Sequence, residues 1–161
     1  MYSVDDLDTL TKLTNVLQSD VGAPMPMILC GENFLHLAYI LRSQLMEEEA
    51  CALVGFDRPY AHMFGPPNDE AFHGHPLASR GLRPNSAFEV SNSSWIRELA
   101  RMNSVHPYHK PERFAEFKHF IFAFHDSTFE CVAKGFEISR HIGSVSRILR
   151  ESWPKEFYPE F

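Results

Sequence analysis

The chain has 161 residues, 44% of them hydrophobic and 22% charged. That balance excludes a disordered or collagen-like segment and fits one globular domain over residues 1–161, long enough to fold without a disulfide or a metal. The formal charge of −6 is unevenly spread, with three basic against eleven acidic side chains in the first seventy residues and twelve against ten in the rest. This distribution argues against a general nucleic-acid binder, which needs a Lys/Arg surface to hold the phosphate backbone. The exception is local. Arg80, Arg83, Arg97, Arg101, Lys110, Arg113 and Lys118 outnumber the acids between them and would attract a small anion.

Ser3 with Asp5, Asp6 and Asp8 resembles a helix N-cap, and Leu7, Leu10, Leu13 and Leu17 follow at helical spacing, which predicts a first helix over about Val4 to Gln18. From Asn33, the apolar positions Phe34, Leu37, Ala38, Leu41 and Leu45 step as i, i+3, i+4, i+7, i+11, which predicts a second helix. Cys51 to Phe56 reads as a short buried strand. Asp57 to Asn85 is rich in turn formers, including Gly65-Pro66-Pro67-Asn68 and His73-Gly74-His75-Pro76. A segment this long without a period is either a binding loop or lid, or conceals short strands such as one around His62 to Phe64.

Ala87 to Val90 reads as a strand. Asn92, Ser93 or Ser94 can then cap a helix presenting Trp95, Leu99 and Met102, and Pro111 opens a shorter one carrying Phe114 and Phe117. His119 to His125 and Thr128 to Ile138 flank Asp126-Ser127, the strongest hairpin signal in the chain. A short helix over Ser144 to Glu151 precedes an aromatic tail (Trp153, Phe157, Tyr158, Phe161) expected to pack on its own domain. The order of elements predicts an α+β fold, N-terminal helices packed on a small antiparallel sheet that includes this hairpin.

Alternation fixes the faces of the hairpin. Phe120, Phe122, Phe124, Phe129 and Cys131 share the inward face if Phe124 pairs with Phe129, and His125 and Glu130 are then diagonal neighbours on the opposite face, within reach as an acid/base pair. His73 and His75 at i, i+2 point the same way in an extended segment and would share a divalent ion, zinc or iron, with a third ligand such as His62, Asp69, Glu70 or Glu130. His106 and His109 flank Pro107-Tyr108 and line a polar cleft or cap helix ends. No phosphate-loop or dinucleotide-binding glycine pattern occurs.

Three cysteines, Cys30, Cys51 and Cys131, without a CxxC pair suit a reducing compartment, and no apolar stretch reaches membrane-spanning length, so a cytoplasmic protein without membrane contact is expected. The functional expectation is a binding module recognising a small molecule or a partner protein through the 57–85 segment and the polar hairpin end, with His62, Asn68, Arg80, Arg83, His106 and His109 as contacts. The alternative is an enzyme, either metal-dependent through His73 and His75 or acid–base through His125 and Glu130.

Overall fold

The computed structural model describes residues 2–42 and 49–154. Its strands are β1 (Thr9–Lys12), β2 (Met27–Cys30), β3 (Leu35–Ile40), β4 (Ala50–Asp57), β5 (Ala61–Gly65), β6 (Ser86–Ser91), β7 (Lys118–Ala123), β8 (Thr128–Ala133) and β9 (Gly135–Ile142). Two α-helices, α1 (Ser94–Asn103) and α2 (Val145–Glu151), and three 3-10 segments complete the described elements. Every ladder is antiparallel, in two sheets of order β1-β6-β7-β8-β5 and β2-β3-β4-β9. The expected α+β fold with N-terminal helices on a small sheet is therefore wrong: the chain is mostly antiparallel β-sheet with a few short helices.

Both expected N-terminal helices fail for identifiable reasons. In β3, Leu35, Leu37 and Tyr39 face the other sheet while Ala38 faces α2. A strand apolar on both faces offers i+3 and i+4 apolar neighbours as readily as a helix does. Leu45, the last position of that pattern, lies outside the described residues. Near the N-terminus, Asp5 and Asp8 close a turn on each other: Asp5 Oδ1 accepts from Leu7 N at 3.0 Å and Asp8 Oδ2 from Asp5 N at 2.9 Å. The acids thus satisfy a turn in place of capping a helix. The β-branched Thr9 and Thr11 then pair with β6, as their stiffness favours.

The inner core lies between the sheets and is dominated by rings: Phe120 and Phe122 of β7, Phe129 of β8, Phe56 of β4 and Phe124 beyond β7. Phe56 meets Phe122 edge to face at 6.1 Å and lies 5.5 Å from Phe129. Each buried ring contributes roughly 1.5–3 kcal/mol by leaving water. A second apolar layer covers the outer face of the five-stranded sheet. There the 66–85 segment buries Phe72, Leu77 and Leu82 against Phe88, Ile121 and Val132, beside Trp95 of α1. The long irregular segment is thus mostly a cover, and the strand suspected around His62 to Phe64 is β5. On the far side α2 lays Val145, Ile148 and Leu149 over the four-stranded sheet, and Trp153 lies 5.8 Å from the Phe34 ring. Phe157, Tyr158 and Phe161 lie outside the described residues.

The two sheets meet at a corner. Asp57 pairs with Gly135 and Ala61 with Val132, so three residues, Arg58 to Tyr60, stand opposite two, Ala133 and Lys134. This is a bulge, and it bends the ladder from one sheet into the other. Arg58 takes a left-handed backbone there, with φ 47°.

The hairpin keeps its faces but not its register. Phe122 pairs with Phe129 and Ile121 with Glu130, and Phe124 N donates to Ser127 O at 2.8 Å, so the turn is centred on His125-Asp126 and not on Asp126-Ser127. Moving a turn centre by one residue moves the pairing by two, which leaves every side chain on its original face.

Candidate functional site

Glu130 stands midway along β8 on the outer face of its sheet and is buried, together with His75 and His119. Its carboxylate accepts from His75 Nε2 at 3.1 Å, from His119 Nε2 at 2.8 Å and from the Tyr2 hydroxyl at 2.7 Å. The partners of each ring show that a protonated nitrogen faces Glu130. His75 Nδ1 accepts the Leu77 N–H at 3.1 Å, so its proton is on Nε2. Ser93 Oγ accepts the Ile96 N–H and lies 2.9 Å from His119 Nδ1, and because the Glu130 carboxylate can only accept, the His119 Nε2 facing it carries a proton. Both rings therefore offer Glu130 an N–H, and the buried anion is held by three donors.

Burial alone would push the Glu130 carboxyl up, but the hydrogen bonds from His119 and His75, the electrostatic attraction of His119 and the Tyr2 hydroxyl outweigh it and hold it down to about 2. Tyr2 is driven the other way, upwards, by burial and by the adjacent Glu130 charge. Its ring stacks on Trp95 at 5.5 Å with an interplanar angle of 6°. Next to it the fully buried Asp8 accepts the Ser94 N–H at 2.7 Å, placing a carboxylate on the first turn of α1, where the helix dipole favours it. The 2–8 segment, α1 and the 66–85 cover are thereby tied to β7 and β8 through one polar cluster.

A second histidine–carboxylate pair occupies the hairpin turn. His125 Nδ1 lies 2.7 Å from Asp69 Oδ2, and Asp69 N donates to His125 O at 2.8 Å. Thr128 Oγ1 donates to Pro67 O at 2.9 Å, so three bonds fasten the 66–85 segment to the turn. This pair is open to water, with 39% of the His125 side chain and 26% of Asp69 exposed. The hydrogen bond and charge of Asp69, helped by Asp126 and Glu70, raise the His125 imidazole above its ordinary value. Among the described residues its Nε2 has only the distant Asp126 carboxylate, 3.9 Å away.

The residues singled out by sequence are thus redistributed. Glu130 does not meet His125, because the register sets it opposite Ile121 and beside His119. His75 joins Glu130 while His73 is exposed two residues away, lining with Asp69 and Arg83 a shallow cavity of about 420 Å³. Among the described residues no group of three or more His, Cys, Asp or Glu is placed to hold a metal ion, and the Nε2 atoms of His75 and His119 carry the protons that Glu130 accepts. His62 is exposed on β5 beside Phe129. Asn68 Oδ1 receives the Ala71 N–H at 3.0 Å, and Arg80 reaches Asp8 O and Asp6. His106 accepts from Tyr108 N, and His109 bonds Asn103, both beyond the C-terminal end of α1. Sequence reasoning left out His119, Tyr2 and Ser93. The signal for His119 was available, since alternation puts residues 119, 121, 123 and 125 on one face.

No described helix is long and apolar enough to cross a membrane. Compared with protein-family models, curated proteins and solved structures, the chain matches none.

Proposed function

We propose that the chain is a binding module that recognises a basic partner protein through one continuous surface, made of the 66–85 segment and the His125-Asp126 turn. The observation that carries this reading is the double attachment of Asp69 to His125, by side chain and by backbone. Two segments that would otherwise have to be ordered on binding are held in place beforehand, which removes an entropic cost of association. Around the imidazole stand Asp69, Glu70 and Asp126, and the first seventy residues carry eleven acids against three bases, so the surface suits lysine- or arginine-bearing partners.

The test uses labelled lysine/arginine-rich peptides and a neutral peptide of equal length, titrated by fluorescence anisotropy at low and at moderate salt. Binding of the basic peptides that weakens steeply with salt, and weakens again in an Asp69→Asn, Asp126→Asn variant, supports the reading. Equal binding of both peptides, or none, overturns it. A library compound that raises the melting temperature independently of salt would instead assign the surface to a small molecule.

One observation favours a second reading. A carboxylate on Nδ1 with Nε2 toward water is the arrangement of a general base. Hydrolysis of activated esters that disappears in His125→Ala would establish it.

A further inference from the structure

At the other end of β8, about 17 Å from the His125 turn by strand rise, the corner between the sheets opens a cleft of about 480 Å³. Its charge is opposite to that of the molecule as a whole. Arg58 of the bulge, Arg113 of the Pro111–Glu116 3-10 helix and Lys134 between β8 and β9 line it, against one carboxylate, Glu116. Lys134 Nζ engages Glu116. The guanidinium groups of Arg58 and Arg113 act on Glu116 only through their charge, and among the described residues neither has a hydrogen-bond or ion-pair partner of its own. Three cations and one anion leave an excess of two positive charges in a chain whose formal charge is −6.

The wall of the cleft is aromatic. Tyr60 is 43% exposed, and its inner contacts are Phe114 at 5.4 Å and Phe117 at 5.2 Å, so the ring is braced from behind while much of it meets solvent. Asn103 reaches the cleft from the end of α1. Its Oδ1 is occupied by His109 Nδ1 at 2.9 Å, which leaves the amide nitrogen to donate. Arg58 owes its place to the bulge, and a non-glycine residue held at positive φ is a local strain of the kind that collects at binding sites.

We infer that this cleft binds a phosphate monoester carried on a planar aromatic group. A phosphate monoester bears close to two negative charges at neutral pH, which matches the local excess. Two unpaired guanidinium groups supply the forked donors that phosphate oxygens take. The exposed Tyr60 ring supplies a surface on which a flat group stacks. The site is separate from the Asp69–His125 surface and does not depend on it.

Isothermal titration of the intact protein with inorganic phosphate, phenyl phosphate and adenosine 5′-monophosphate tests the inference. Both aromatic esters should bind more tightly than inorganic phosphate, by about three- to tenfold, and an Arg58→Gln, Arg113→Gln variant should lose about tenfold or more for all three. Tyr60→Leu should erase the preference for the aromatic esters while keeping phosphate binding. Preference for phenyl phosphate points to a phosphorylated aromatic side chain as the natural source, and preference for the nucleotide to a free metabolite. Equal affinity for all three ligands, undiminished binding in the double variant, or no binding at all would overturn the inference. The three altered side chains lie at the surface, and circular dichroism of each variant verifies that the fold is intact.

Discussion

Two histidine–carboxylate clusters hang on the β7–β8 hairpin, and they differ in nearly everything except chemistry. Glu130 is buried, accepts three hydrogen bonds and is held down to about 2; Asp69 and His125 face water, and the histidine still has a nitrogen turned outward. The comparison separates holding a structure together from presenting a group to a partner. In the first cluster every donor is committed, so removing the acceptor strands three polar groups. In the second, water replaces whatever is lost.

The strongest break in this comparison is Glu130→Ala. It leaves His75, His119 and Tyr2 without their acceptor and should cost about 3–5 kcal/mol of stability, read by urea denaturation, whereas His125→Ala should shift the midpoint only slightly. Equal losses from the two variants would remove the distinction. Tyr2→Phe keeps the stack on Trp95 and deletes one bond to a charged acceptor, so it should cost about 1.5–3 kcal/mol.

Acid sharpens the contrast. The Glu130 carboxyl lies below its ordinary 4.5 in the folded protein, so its contribution is present above that value and is lost as pH falls from about 4.5 through about 2. His125 runs the opposite way. Its folded value is raised above 6.5, so its smaller contribution is present below 6.5 and lost as pH rises through the raised value. A pH series of melting temperatures should therefore show a large acid loss that Glu130→Gln flattens and a slight alkaline loss that Asp69→Asn flattens. The smallest expected effect is on thiol reactivity: Cys30 is exposed while Cys51 and Cys131 are buried, and burial pushes both buried thiols up. Titration of the native protein with a disulfide reagent should thus count one fast thiol, rising to three in denaturant.

The sequence was most informative where neighbours in the chain decide the outcome. Ser93, one of three cap candidates, caps α1 through its own hydroxyl, and the inward face of the hairpin followed from alternation alone. It misled where tertiary burial overrides local pattern, as in β3, whose two apolar faces imitate a helix. The site was legible only in pieces. Glu130 and His75 stood out as residue types, but they are 55 positions apart, and Asp69 and His125 are 56 apart. The fold alone brings such pairs together, and the one-residue error in the turn centre was enough to exchange His119 for His125 as the partner of Glu130.

The bond from Tyr2 to Glu130 spans 128 residues, and this has a consequence for how the chain is made. The segment containing Tyr2 is synthesised long before β8 leaves the ribosome, so for most of translation Tyr2 and Asp8 have neither Glu130 nor α1 to dock on. Closing the outer layer is a late event with a large loop to close. Until β8 emerges, the outer layer lacks the Glu130 carboxylate on which Tyr2, His75 and His119 converge, and an incompletely closed layer of this kind leaves a chain open to aggregation.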